Sequence, residues 1–198
     1  MSSPLRLGIL ISGSGTNLQA IIEAIRTGEL NATIPIVISS REGVEGIARA
    51  QAAGIETVVA LNPTLYQDPD VANERICDEL LAADVDYIVM AGYMRKLGTQ
   101  VLDAFPNHVL NLHPALLPAF PGAHAIADAL AAGVSETGVT VHFANENYDE
   151  GPIIAQRPVA VLPDDTVESL AERIHAAEYE LYPQVLKQLA DARNGDDG

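Results

Sequence analysis

Asn111 and His113 are the two side chains of this sequence best spaced to act together. They lie in the stretch Asn111-Leu112-His113-Pro114-Ala115-Leu116-Leu117-Pro118, with Pro121 and Gly122 just beyond. Val109, Leu110 and Leu112 are apolar and mark a strand, whose alternate side chains share a face. Asn111 and His113 therefore point the same way, roughly 6–7 Å apart along the chain. Pro114 removes a backbone donor and holds His113 in extended geometry, so the strand stops there. An amide and an imidazole are presented at the carboxyl end of a strand, where open α/β sheets keep their active sites. Without further context the same stretch also reads as a polar edge strand entering a proline-rich loop.

Three other groups of residues carry chemical signals. Ser12-Gly13-Ser14-Gly15-Thr16-Asn17 follows the continuous apolar run Leu5–Ile11 and precedes Leu18, Ile21, Ile22 and Ile25 at helical spacing. A strand, a glycine turn and a helix N-terminus converge unpaired N–H groups and the helix dipole on an anion. The pattern lacks the third glycine of a dinucleotide fingerprint and the Gly-Lys-Ser/Thr ending of a P-loop. Its hydroxyls favour a small phosphate monoester; a purely structural turn is the alternative. The loop Asn145-Glu146-Asn147-Tyr148-Asp149-Glu150-Gly151-Pro152 is acidic and turn-rich, and offers a carboxylate. Glu178 falls on the apolar stripe of the last helix, where a carboxylate needs a partner. It reads either as a capping group or as a ligand contact.

Of the five histidines, His108 and His175 have no companion motif, His142 lies on a strand and His124 in the proline-rich loop. No histidine pair has helical metal-ligand spacing and no Cys/His cluster exists, which argues against a metal. A Gly-x-Ser-x-Gly elbow is absent, which argues against serine hydrolysis. An amide donor, a histidine and a carboxylate from the acidic loop suit acyl transfer without a covalent intermediate. Asn and protonated His would donate to the oxyanion, and the carboxylate would keep the imidazole charged.

Alternating strands and helices must position these groups. Strands are expected at Leu5–Ile11, Ile34–Ser39, Glu56–Ala60, Tyr87–Ala91, Val109–His113, Thr137–Phe143 and Ile153–Val161. Helices are expected after the first glycine turn, over Val44–Ala53, around Ala72–Leu81, over Ala125–Ala132, and from a cap at Asp164-Asp165 onward. Pro63 to Pro69 reads as a turn, and Pro183 should kink or break the last helix. The alternation implies βαβ units: an open, mostly parallel, twisted sheet of about seven strands with helices on both faces, Rossmann-like. The expected organisation is one domain over residues 1–193 with a frayed acidic tail over 194–198.

Composition narrows the function classes. The 198 residues are 48% hydrophobic and 19% charged, with a net charge of −16. That charge argues against a nucleic-acid surface. With Lys96 and Lys187 the only lysines, a phosphorylated substrate would rest largely on backbone N–H groups and a few arginines. No apolar run reaches membrane-span length and no signal peptide precedes the first strand. The single Cys77 reads as a buried, inert thiol, and the expected location is the cytoplasm.

Taken in order, Ile11–Leu18, Gly92-Tyr93-Met94-Arg95, the Asn111–Pro118 stretch and Asp149-Glu150-Gly151-Pro152 resemble the folate-dependent formyltransferases over essentially the whole chain. The first glycine turn selects the branch acting on glycinamide ribonucleotide, the phosphoribosylglycinamide formyltransferase family. The resemblance implies that the amine of glycinamide ribonucleotide attacks the formyl carbon of 10-formyltetrahydrofolate, a step of purine biosynthesis, with no metal and with a monomer or homodimer. It implies Asn111 as oxyanion donor and His113, held charged by Asp149, as second donor and proton carrier. Gly13, Gly15, Thr16, Asn17 and Glu178 would hold the ribonucleotide. Met94, Arg95, Lys96, Leu97, Asn111, Asn145, Glu146, Asn147, Tyr148 and Asp149 would line the folate side. Leu117-Pro118 would be cis.

The sequence departs from that family at three places. Pro69 stands where many relatives have an arginine that reaches the folate, so that contact is either absent or supplied elsewhere, with Arg75 as a candidate. Ala115 replaces a serine, and Ile126 stands in place of a further histidine. Formyltetrahydrofolate hydrolase would require an N-terminal regulatory domain, and methionyl-tRNA formyltransferase a C-terminal domain with a basic surface. A non-catalytic nucleotide-binding module would use only the Gly13–Asn17 turn.

Overall fold

The computed structural model describes residues 3–147 and 149–196. Its strands are β1 (Leu5–Ile11), β2 (Ala32–Ser39), β3 (Thr57–Ala60), β4 (Tyr87–Met90), β5 (Val109–His113), β6 (Glu136–Phe143) and β7 (Ile153–Ala160). The helices are α1 (Thr16–Arg26), α2 (Glu45–Ala52), α3 (Pro69–Ala82), α4 (Thr99–Ala104), α5 (Ala125–Ala131) and α6 (Val167–Asp196). All strands form one sheet in the order β3-β2-β1-β4-β5-β6-β7. The pairs from β3 through β5 are parallel, and β6 and β7 are antiparallel. The order reverses between β1 and β4, and at such a switch point a crevice opens beyond the strands' carboxyl ends.

Alternation along β1 divides the core in two. Leu5, Leu7, Ile9 and Ile11 join Leu18 and Ile21 of α1 and Leu170, Ile174 and Tyr182 of α6 in one cluster. Leu10 turns the other way, to meet Ile76 and Leu80 of α3, Val101 of α4 and Val109 of β5. Both sheet faces are thus covered, as a parallel sheet requires. The Tyr182 hydroxyl is buried and donates toward the carbonyls of Met90 and Leu110, at 3.3 and 3.0 Å. It ties α6 to the ends of the two strands that carry the site.

Several local features differ from the sequence reading. α6 continues through Pro183 because Leu181, Tyr182, Val185 and Leu186 on either side are buried against the sheet, so packing outweighs one lost hydrogen bond. Its start is capped by Thr166 and Ser169, whose hydroxyls and backbone N–H groups pair reciprocally, and not by Asp164 or Asp165. Asp165 instead pairs with Arg173 and caps the Leu162 N–H. The turn after β3 holds a 3-10 segment, Pro63–Gln67, and α4 is a short helix the periodicity did not mark. α6 runs to Asp196, while Asp197 and Gly198 of the expected tail lie outside the described residues. No described helix is long and apolar enough to cross a membrane.

Candidate active site

The glycine turn after β1 is built for an anion. Gly15 is the N-cap of α1 with φ 72°, and neither a capping side chain nor an acidic first-turn residue occupies the helix start. A Cβ on Gly15 would lie 2.6 Å from the Gly46 Cα, so α2 packs here only against a glycine. Arg49 fixes the turn by donating from Nε to the Ser14 carbonyl at 2.9 Å. Ser12 links it to the turn after β4: its Oγ accepts the Met94 N–H at 2.8 Å and lies 2.6 Å from the Ser40 Oγ.

These N–H groups open onto a cleft of about 510 Å³ lined by residues 12–17, Arg41, Gly92, Met94, Leu112, Pro114, His175, Glu178 and Tyr179. All five residues expected on the ribonucleotide side line it. Glu178 is 5% exposed and accepts from Asn17 Nδ2 and His175 Nδ1, both at 3.0 Å. Its place on the apolar stripe is thereby satisfied by two donors rather than by helix capping.

On the other face of β5 lies a second, narrower slot. Asn111, His142, Asn145 and Asp149 line it together with Met90, Lys96, Leu97, Leu102 and Ala144. Leu112 faces the first cleft and Asn111 the second, so the two spaces meet over the end of β5.

Asn111 and His113 share a face as the alternation requires, and Asp149 reaches His113. Asp149 Oδ2 lies 3.4 Å from His113 Nδ1 and accepts the Gly122 N–H at 2.8 Å. His113 Nε2 donates to the Phe120 carbonyl at 2.8 Å. Both ring nitrogens face oxygen acceptors, so an imidazolium satisfies both and a neutral ring only one. Asp149 itself is 7% exposed and has φ 60°, a conformation non-glycine residues rarely adopt. It is placed there by Gly151, where any Cβ would overlap the Phe143 carbonyl oxygen, and by the Phe143 N–H, which donates to the Pro152 carbonyl at 2.9 Å.

The proline-rich loop is pinned on the far side. Thr140 Oγ1 donates to the Ala115 carbonyl at 2.7 Å, and Gln156 Nε2 donates to the Leu117 carbonyl at 2.9 Å. The Leu117-Pro118 peptide bond is cis.

His142 belongs to this site, and the sequence reading passed it over. Antiparallel pairing sets it opposite Asn111. Its Nδ1 donates to the Phe143 carbonyl at 3.0 Å, which leaves Nε2 as an acceptor for Asn111 Nδ2 at 3.1 Å. Burial pushes the His142 imidazole below its usual value, which favours that neutral tautomer. Asn111 thereby keeps one N–H tied to His142, and the other has no partner among the described residues. The available signal was the β6 alternation, but matching His142 to Asn111 needs a register that spans 31 residues of sequence.

The remaining folate-side residues divide. Lys96, Leu97 and Asn145 line the slot; Glu146 and Asn147 line an outer cleft of about 410 Å³ that adjoins it through Lys96, Leu97 and Leu102. Met94 lines the ribonucleotide cleft instead. Arg95 lies 4.4 Å over the Tyr66 ring. Tyr148 is outside the described residues. Pro69 borders the outer cleft, but Arg75 pairs with Glu79 along α3 and does not replace an arginine there. Ala115 is fully buried, and Ile126 packs on the core.

Four buried side-chain polar atoms lack a partner among the described residues: Asn17 Oδ1, Thr137 Oγ1, Asp149 Oδ1 and Arg173 Nε. Asn17 and Asp149 contribute one to each cleft, and an orphaned buried acceptor marks where a ligand donor would bind.

The formyl transferase family model matches residues 5–186. Phosphoribosylglycinamide formyltransferase of Bacillus subtilis (strain 168) is 36% identical over 189 residues, covering 96% of each chain. The trifunctional purine biosynthetic protein adenosine-3 of Drosophila melanogaster is 42% identical over 94% of this chain, which spans only 14% of that longer protein. The crystal structure of glycinamide ribonucleotide transformylase 1 from Symbiobacterium toebii superposes with a TM-score of 0.93 at 44% identity. It covers 98% of this chain and 91% of that one.

Proposed function

The chain belongs to the formyl transferase family, and we propose that it transfers a formyl group from 10-formyltetrahydrofolate to the amine of glycinamide ribonucleotide in purine biosynthesis. The observation that carries this reading is the meeting of two clefts at one strand end. A capless glycine turn faces one cleft, Asn111 and Asp149 line the other, and the buried His113 stands behind Asp149. The lining chemistry suits both substrates, and the slot, about 20 Å³ in this structure, would have to widen to admit a ring. A phosphate would be held by the α1 N–H groups and Arg41, and a flat, polar-edged ring would lie between Leu97, Leu102 and Ala144 with polar partners at Asn145 and Asp149.

In the proposed step the substrate amine attacks the formyl carbon, and charge develops on the formyl oxygen. The second N–H of Asn111 donates to that oxygen, and the neighbouring His113 imidazolium adds positive charge where water is excluded. Asp149 acts twice: Oδ2 orients His113, and Oδ1, a buried acceptor without a partner, receives an N–H of the attacking amine. The amine loses a proton as the new C–N bond forms, and the folate nitrogen gains one as the old bond breaks. Asp149, which lines the slot and keeps Oδ1 unpartnered, would relay that proton, with His113 behind it balancing the charge.

The buried, unpaired Cys77 agrees with a cytoplasmic setting.

The test is an absorbance assay for loss of the formyl group from 10-formyltetrahydrofolate, with and without glycinamide ribonucleotide. Release that requires the ribonucleotide supports the reading. Release into water alone would make the chain a hydrolase, and no release would leave a binding module.

A further inference from the structure

The side chains with charge or a titratable proton that line the ribonucleotide cleft are Arg41, from the loop after β2, and His175, Glu178 and Tyr179, from α6. α1 and the loops after β4 and β5 contribute only uncharged residues such as Asn17, Met94 and Pro114. With a neutral imidazole, Arg41 and Glu178 cancel and the cleft has no net charge to offer a dianion. With an imidazolium, it gains one positive charge.

His175 is built into the wall. Its Nδ1 is 3.0 Å from Oε2 of the buried Glu178, the same oxygen that takes the Asn17 N–H. Its ring lies near-parallel to Tyr179 with centroids 6.4 Å apart. The side chain is 48% exposed, and Nε2 has no hydrogen bond among the described residues. A second observation shows that ligand contacts are missing from this network. Asn17, 8% exposed, gives its amide N–H to Glu178 while its Oδ1 stays buried without a partner.

We propose that His175 is the titratable cation of the ribonucleotide cleft: Glu178 orients the ring, and the imidazolium supplies the net positive charge that binds the substrate phosphate. The proposal rests on the assignment of this cleft to a ribonucleotide. The hydrogen bond that His175 Nδ1 donates to Glu178 raises the His175 proton affinity above its ordinary value, with partial burial opposing. The charge is therefore present at low pH, persists further up the pH scale than for an ordinary histidine, and is lost as pH rises. Affinity for a phosphate monoester falls with it.

Calorimetric binding of glycinamide ribonucleotide from pH 6 to pH 9 tests this with the full chain, His175→Gln and His175→Lys. Gln retains a donor for Glu178 without charge, and Lys retains the charge without titrating in this range. The phosphate's own second ionisation near pH 6 affects all three proteins alike and cancels in the ratio of their dissociation constants. The expected ratio of His175→Gln to wild type is roughly tenfold at pH 6, the size of one charge-assisted contact, and approaches one at pH 9. His175→Lys should match wild type at pH 6 and bind more tightly at pH 9. A Gln-to-wild-type ratio that does not change with pH, whatever its size, would make His175 merely structural and overturn the proposal. Binding by none of the three at any pH would overturn the ribonucleotide assignment as well.

Discussion

Replacing His142 by leucine isolates what an uncharged neighbour contributes to the oxyanion donor. The side chain is 1% exposed and accepts the Asn111 N–H at 3.1 Å, so leucine fills much of its volume while removing that acceptor and the Nδ1 donor to the Phe143 carbonyl. A buried donor left unpaired costs about 1–3 kcal/mol. Part of that is felt in folding. The part felt at the transition state comes from the Asn111 amide, which becomes free to rotate its remaining N–H away from the formyl oxygen. A loss of about 1.4–2.7 kcal/mol there corresponds to a roughly 10–100-fold fall in kcat. KM for either substrate should move less than about threefold. The assay is steady-state formyl transfer for His142→Leu, Asn111→Ala and the double variant, with thermal melts beside it. Because His142 acts through Asn111, adding His142→Leu to Asn111→Ala should cost less than about threefold more. A kcat for His142→Leu within about twofold of wild type, or fully additive losses in the double variant, would refute the reasoning.

Other perturbations read separate parts of the account. Gly15→Ala must hold φ 72° and push a methyl against α2; it should destabilise the chain by about 1–3 kcal/mol in denaturant unfolding and weaken ribonucleotide binding. Lys96→Ala should raise KM for the folate a few-fold with little change in kcat, since Lys96 joins the slot to the outer cleft and the co-substrate's tail bears carboxylates. Asp165 is held well below the usual carboxylate range by Arg173, the Leu162 N–H and Ser169. Its folded value lies beneath the unfolded 3.8, so its contribution is complete above that pH and declines as pH falls further. The Tm difference between wild type and Asp165→Asn should thus be constant above about pH 5 and shrink below pH 4.

The parts of the site that could be read from the sequence are those fixed by neighbours in the chain. Asn111 and His113 share a strand, so alternation alone places them together, and Pro114 ends the strand where the chemistry needs it. The glycine turn is equally local: an apolar run, a turn that tolerates φ > 0, then a helical stripe. Contacts made across the fold were not legible. His142 meets Asn111 only through the β5–β6 register, and the place of His175 in the cleft depends on α6 packing beside the glycine turn, although its i,i+3 contact with Glu178 is local and was overlooked. Met94 was assigned to the folate side with its neighbours, but the Ser12 hydrogen bond turns the loop so that it faces the ribonucleotide cleft. Pro183 was judged by local rules, whereas burial of its flanking turns keeps α6 whole.

The central claim is that Asn111 donates to the oxyanion while His113 and Asp149 supply charge and proton transfer. The most direct test is the single-turnover rate of formyl transfer in Asn111→Ala, with both substrates saturating and the folate dissociation constant measured in parallel. Loss of one oxyanion donor should slow the chemical step by roughly 10²–10³-fold while folate affinity stays within about threefold. A single-turnover rate within about threefold of wild type would contradict the account.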